Sequence, residues 1–151
     1  PVDRNADGTY ILPVMIGVIK VLSLGEVVFD RPSYHSDRYI YPAGYSIQRL
    51  FGSMITPDKH VLYTCTILDG GNQPLFRVVA EDCPDKPIEW ASATGAWSKV
   101  VRQVNAVRKK EASNSISGPD LFGLTHATIA KMIQDLPNVE KCPNYVPQNF
   151  I

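Results

Sequence analysis

The sequence predicts an α+β fold, an antiparallel β-sheet with two or three helices packed on it, and three stretches carry that prediction. From Val61 to Ala80 apolar residues recur at every second position on both sides of Asp69-Gly70-Gly71-Asn72, the pattern of two strands joined by a hairpin. From Thr94 onward the period lengthens to that of a helix, with Trp97, Val100, Val101, Val104 and Val107 on one face. Between Ile40 and Arg49 a proline-glycine corner held by Tyr41 and Tyr45 feeds an alternating strand. Pro42 fixes its own φ and extends Tyr41, and Gly44 permits a backbone geometry that a side chain would forbid. A chain of 151 residues, 44% hydrophobic and 20% charged, can bury one sizeable core.

In chain order, residues 1–9 are a polar lead-in with an Asp7-Gly8 turn. Tyr10 to Ile16 reads as a strand, placed at an edge by Pro13. Gly17 allows a bend, Val18 to Leu22 resumes extended, and Leu24 to Phe29 is another extended piece ended by Asp30-Arg31-Pro32-Ser33. After the corner, Tyr45, Ile47, Arg49 and Phe51 share one strand face. Arg49 is the odd member: it either snorkels or pairs structurally, or it contacts a ligand. Thr56-Pro57-Asp58-Lys59 is a turn. Val61, Tyr63, Cys65 and Ile67 form the core face of the next strand, and Phe76, Val78 and Ala80 that of its partner. An acidic, proline-bearing loop, Glu81 to Pro87, leads to a brief strand over Ile88 to Ala91.

Thr94 is the expected N-cap of the first helix, which ends near Lys110 on Arg108, Lys109 and Lys110, cations that suit a helix C-terminus. Glu111 to Ser115 reads as a polar linker. Ser117 to Thr125 reads as one helical turn whose Phe122 plugs the core. Thr125 then caps a second helix with Ile129, Met132, Ile133 and Leu136 along its apolar stripe, stopped by Pro137. The tail from Cys142 to Pro147 is expected to lie extended on the sheet or its edge.

Several function classes fit poorly. Lys+Arg and Asp+Glu balance at 15 each, unlike the basic footprint of a dedicated nucleic-acid binder. Cys65, Cys83 and Cys142 are odd in number and far apart, which gives neither a disulfide framework nor a zinc signature and favours a reducing compartment. The longest apolar run, Ile11 to Leu22, is broken by Pro13, Gly17 and Lys20 and is too short to span a bilayer. His35, His60 and His126 are scattered, and Cys65 sits on a core face. No catalytic residue, cofactor or metal is expected. The chain opens on Pro1 rather than Met, as a piece of a longer protein would.

Two blocks resemble a known family. Leu24-Gly25, the Ile40–Tyr45 corner and the Tyr63–Ile67 strand are similar to the FYRN motif, the amino-terminal phenylalanine/tyrosine-rich region. Pro74-Leu75-Phe76, Ala96-Trp97, Ser117 to Leu124, Leu136-Pro137 and Cys142 are similar to its partner, FYRC. The halves fall at about 24–68 and 74–146, within one domain over 1–151. Their close spacing is most similar to transforming growth factor beta regulator-like proteins, and the resemblance places the halves far apart in MLL-type histone methyltransferases. Ala43 stands where the family commonly has Val, and Ile47 where Ser is usual.

The resemblance implies a single FYR domain, found in chromatin-associated nuclear proteins that include MLL-type methyltransferases and plant jumonji demethylases. In the former the halves hold two pieces of a cleaved protein together. It implies a non-catalytic interaction or assembly module with protein partners in a chromatin or transcription complex and no membrane. Tyr41, Pro42, Gly44, Tyr45, Phe76, Trp97, Phe122 and Gly123 are the expected structural anchors. Tyr34, Tyr39 and Arg49 are the candidate partner-binding residues, with Tyr41 and Tyr45 either in the core or beside them. The alternative is nucleic-acid or histone-tail contact through Lys99, Arg102, Arg108, Lys109 and Lys110.

Overall fold

A computed structural model describes residues 2–109 and 117–150. It contains six strands in one antiparallel sheet whose spatial order equals their sequence order. These are β1 (Val14–Ile16), β2 (Ile19–Ser23), β3 (Ser46–Gly52), β4 (His60–Asp69), β5 (Pro74–Ala80) and β6 (Ile88–Trp90). Three helices follow: α1 (Ala93–Arg108), α2 (Gly118–Leu121) and α3 (Ala127–Gln134). The α+β prediction holds.

The strongest sequence signals give the longest elements. β4 alternates buried Val61, Tyr63, Cys65 and Ile67 with half-buried Leu62, Thr64, Thr66 and Leu68. β5 does the same with Pro74, Phe76, Val78 and Ala80, and the register runs from Tyr63 opposite Ala80 to Asp69 opposite Pro74. β3 pairs with β4 in register, placing Ile47 opposite Cys65 and Arg49 opposite Tyr63. The other face carries polar cross-strand pairs, Gln48 to Thr64 at 3.1 Å and Arg77 to Glu89 at 2.5 Å.

The first expected strand is shorter than its composition suggests. Only Val14–Ile16 pairs with β2, and Tyr10 makes one isolated bridge to Arg4. β2 is itself only five residues long, so it offers few groups to pair with. Of the extended 24–29 piece, Glu26 alone bridges, to Ala43. The tail does not lie on the sheet: Val146 N–H donates to Asp37 O, and the Tyr145 hydroxyl donates to Gln134 of α3 at 2.6 Å.

Two caps differ from expectation. Ser92, not Thr94, caps α1, accepting from Gly95 N–H at 2.9 Å. Thr94 lies inside the first turn, where its hydroxyl accepts from Gly118 N–H at 3.2 Å and ties α2 to α1. His126, not Thr125, caps α3 through Nδ1, while the Thr125 hydroxyl donates to Asp120. Lys109 closes α1 in the left-handed region at φ 57°. Lys110 and the expected linker 111–115 lie outside the described residues.

The buried faces of α1, α2 and α3 join the inner face of the sheet in one hydrophobic core. Trp97 is fully buried, with its ring 5.1 Å from Phe51 and 5.4 Å from Tyr63. Phe122 is equally enclosed and meets Phe76 edge-on at 5.3 Å.

Candidate functional site

The feature that organises the molecule is the seam between β4 and β5. The chain up to the hairpin supplies β1–β4, and the chain after it supplies β5, β6 and the helices. Contacts across this boundary are the core itself. Trp97 of α1 packs on Phe51 and Tyr63 from the first half, and Phe122 abuts Tyr45. The Tyr45 hydroxyl, fully buried, donates to Phe122 O at 2.7 Å. Burial pushes that phenol far above its ordinary pKa, so it stays a donor at any pH the fold tolerates.

The corner is built around that tyrosine. Gly44, at φ +91°, donates its N–H to Ile67 O, and Ile67 N–H returns a bond to Tyr45 O. Gly25 lies against it; a Cβ there would stand 2.5 Å from both Ala43 O and Tyr45 N. Pro42 is buried and Tyr41 half-buried, its ring 5.4 Å from Phe76. Gly123, at φ +78°, leaves room for Ile19, Ile129 and the Tyr45 hydroxyl. Ile47 is fully buried between Val21 and Cys65.

The hairpin tip carries a clamp that sequence reasoning missed. Tyr34 is fully buried, which corrects its placement as a partner-binding residue. A 3-10 turn at Pro32–Tyr34 folds its ring inward, and its hydroxyl meets Asp69, Gly71 O and Gly70 N–H within 3.1 Å. Arg31 pairs both guanidinium nitrogens with Asp69 at 2.8 Å, donates to Gly71 O and covers the Tyr34 ring at 4.6 Å. The Arg31 guanidinium, with the Gly71 N–H and the Tyr34 hydroxyl, holds the Asp69 carboxyl well below the usual carboxylate range. The signal was the acidic residue opening the hairpin, but its partner 38 residues upstream leaves no local trace.

The remaining candidates do not converge. Tyr39 is half-buried, 6.3 Å from the Tyr41 ring and beneath Arg38. Arg49 lies on the inner sheet face, half-buried, with its Nε enclosed and unpartnered among the described residues. The basic residues of α1 occupy separate environments. Lys99 stacks over Trp90 at 4.1 Å, Arg102 is exposed, and Arg108 is half-buried over Gly52. A Cβ on Gly52 would stand 2.7 Å from an Arg108 guanidinium nitrogen, so Arg108 is not part of a solvated helix face.

The cysteines are free, and Cys65 is fully buried, which pushes its thiol up to about 12. The Trp97 indole N–H lies beside that sulfur and has no hydrogen-bond partner among the described residues. Among the described residues no three His, Cys, Asp or Glu side chains gather as a metal site would require. No described helix is long and apolar enough to cross a membrane.

One surface feature stands apart from the core. A groove of about 620 Å³ runs between Met54-Ile55, the loop from Asp82 to Ile88, and Lys99 and Gln103 of α1. Ile55 is 55% exposed at its edge, and Trp90, 49% exposed, stands nearby under Lys99. Ser53 fixes the loop by donating to Asp82 at 2.6 Å.

Residues 11–70 match FYRN, the F/Y-rich N-terminus, and residues 73–150 match FYRC, the F/Y rich C-terminus. This chain belongs to the F/Y-rich family. The two matches meet at the hairpin: the FYRN match ends one residue past β4 and the FYRC match begins one residue before β5. They also reach further than the 24–68 and 74–146 read from the motifs. The FYR chain is 40% identical over 146 residues to transforming growth factor beta regulator 1 of Mus musculus, matching 96% of this chain and 36% of that protein. It therefore spans about a third of that relative's length. It is 29% identical over 140 residues to histone-lysine N-methyltransferase trr of Drosophila melanogaster, covering 86% of this chain and 6% of the relative. With human histone-lysine N-methyltransferase 2D the identity is 30% over 139 residues, 87% of this chain and 2% of the relative. Both methyltransferases match across the hairpin within 140 residues, so the wide separation of halves expected of that group does not hold for them.

Proposed function

We propose that this FYR chain is one non-catalytic domain, an assembly and protein-interaction module of a chromatin-associated nuclear protein. The observation that supports it best is the shared core across the seam. The FYRN half presents Tyr45, Phe51 and Tyr63, and the FYRC half covers them with Trp97 and Phe122. Neither half encloses those aromatic rings alone, and an apolar face of that size left in water costs free energy in proportion to its area. Joining the halves is then the same event as folding. The kinship with histone-lysine N-methyltransferases supports the chromatin setting and the nucleus.

The test is to produce residues 1–71 and 72–151 separately and mix them. Each fragment alone is expected to lack the circular dichroism of the intact chain. The mixture is expected to regain it as a 1:1 complex on size exclusion. Independent folding of either fragment, or failure to associate, would overturn the assembly reading. Phosphate-led binding is the competing mode, and it requires affinity for duplex DNA that falls steeply with added salt. The dispersal of Lys99, Arg102 and Arg108 over three environments weighs against it.

A further inference from the structure

The turn between β3 and β4 takes no part in the assembly described above. Thr56-Pro57 is the one place in the chain where Ser or Thr precedes Pro, and Lys59 follows three residues after Thr56. Every residue from Ile55 to His60 is exposed, an uninterrupted run at the end of the sheet. We propose that Thr56 is a phosphorylation site for a proline-directed protein kinase.

The sequence supplies the recognition chemistry. Proline has no backbone N–H, so a kinase cleft that offers no acceptor after the phospho-acceptor residue accepts Pro57 and penalises other residues with an unsatisfied donor. Lys59 offers a cation to an acidic patch on the kinase three positions on. The structure supplies access. The Thr56 hydroxyl has no hydrogen bond among the described residues, while its N–H donates to Ser53 Oγ at 3.0 Å. Two further bonds tie the turn, Ile55 N–H to Ser53 Oγ at 3.1 Å and Ser53 N–H to Lys59 O at 2.8 Å. Asp58 occupies the left-handed region at φ 61°, which an extended substrate conformation would relieve. Ser53 and Met54 are buried at 1% and 4% exposure, so straightening is confined to the residues beyond them and leaves the core in place.

In the reaction Thr56 Oγ attacks the γ-phosphorus of ATP. Its proton passes to the kinase's catalytic aspartate, and ADP leaves. The product carries a charge approaching −2 beside Ile55, at the edge of the groove. Asp82 and Asp85 there face Lys86 and Lys99, two charges of each sign, so phosphorylation would turn a balanced rim acidic.

The experiment treats the whole chain with a purified cyclin-dependent protein kinase and ATP, alongside a peptide of residues 52–60. Incorporation is followed by intact mass and fragment mapping. The expected result is one phosphate, about 80 Da, on Thr56 of the folded protein. Incorporation is expected to vanish in Thr56→Val and fall about tenfold or more in Pro57→Ala, each with an unchanged unfolding midpoint. Labelling of the peptide but not the folded protein would overturn the proposal by showing the turn inaccessible. Labelling of neither, or labelling that persists in Thr56→Val, would overturn it by showing that the motif is not recognised.

Discussion

Replacing Tyr45 by Phe removes one oxygen from the centre of the molecule and isolates the polar link between the halves. The ring stays, so the aromatic packing is kept. What changes is Phe122 O, which takes its bond from the Tyr45 hydroxyl at 2.7 Å and has no other partner among the described residues. An unsatisfied buried carbonyl costs about 1–3 kcal/mol. For a chain of this size that lowers the thermal midpoint by roughly 2–10 °C. The same term acts on association of the separated halves, because the donor belongs to FYRN and the acceptor to FYRC. Their dissociation constant should rise about 5- to 150-fold. Differential scanning calorimetry reads the first number and titration calorimetry of the mixed fragments the second. A midpoint shift under about 1 °C with unchanged affinity would refute the reasoning, since the carbonyl would then have found another donor.

Further outcomes are expected. Trp97→Ala removes the largest fully buried side chain and should cost about 3–5 kcal/mol in chemical denaturation; nearly unmoved denaturation midpoints would show that Trp97 is not the anchor of α1. Gly118→Ala would drive a methyl into the Ala93–Thr94 backbone, so it should destabilise by about 2 kcal/mol or more. Gly71→Ala, in open space at φ +94°, should cost less, near 1 kcal/mol, and equal losses would contradict the close approach of α2 to α1. Cys65 should resist a thiol reagent in the native protein while half-buried Cys83 reacts slowly. Burial raises the Cys65 pKa to about 12, so the neutral thiol is favoured in the fold. Its contribution is full below the unfolded thiol value of about 8.5 and is lost as pH rises from there through the folded value; stability that rose across that alkaline window would have the wrong sign.

Much of the fold was legible because its strongest signals are local. Period two through Val61–Leu68 and Pro74–Ala80, with glycines between, fixes strand faces and register without reference to anything distant. The stripe of α1 is read the same way. The caps were less so: Ser92 and Thr94 both have capping side chains, and the choice falls to tertiary contact, because Thr94 is occupied with Gly118 N–H. Tyr34 shows the sharper limit. In sequence it is one of several tyrosines near a proline. Only the inward 3-10 turn and the arrival of Asp69 and Gly71 reveal it as a buried clamp. Arg108 meets the same limit, since nothing near it in the chain announces that Gly52 will leave room for its guanidinium.

The meeting point of the two halves is a hairpin whose strand ends, Asp69 and Pro74, already lie opposite each other. A chain segment added between them would begin and end at neighbouring points, and none of the six strands would need to change its order. The entropy of closing such a loop grows only logarithmically, about 0.6 kcal/mol for each doubling of length. Arg31 and Tyr34 grip Asp69 from the FYRN side, so the strand end stays fixed however long the excursion. Lengthening the loop between Asp69 and Pro74 to several hundred residues is about seven doublings, roughly 4 kcal/mol, so an insertion at that point weakens the domain by a bounded amount and leaves its strand order as it is.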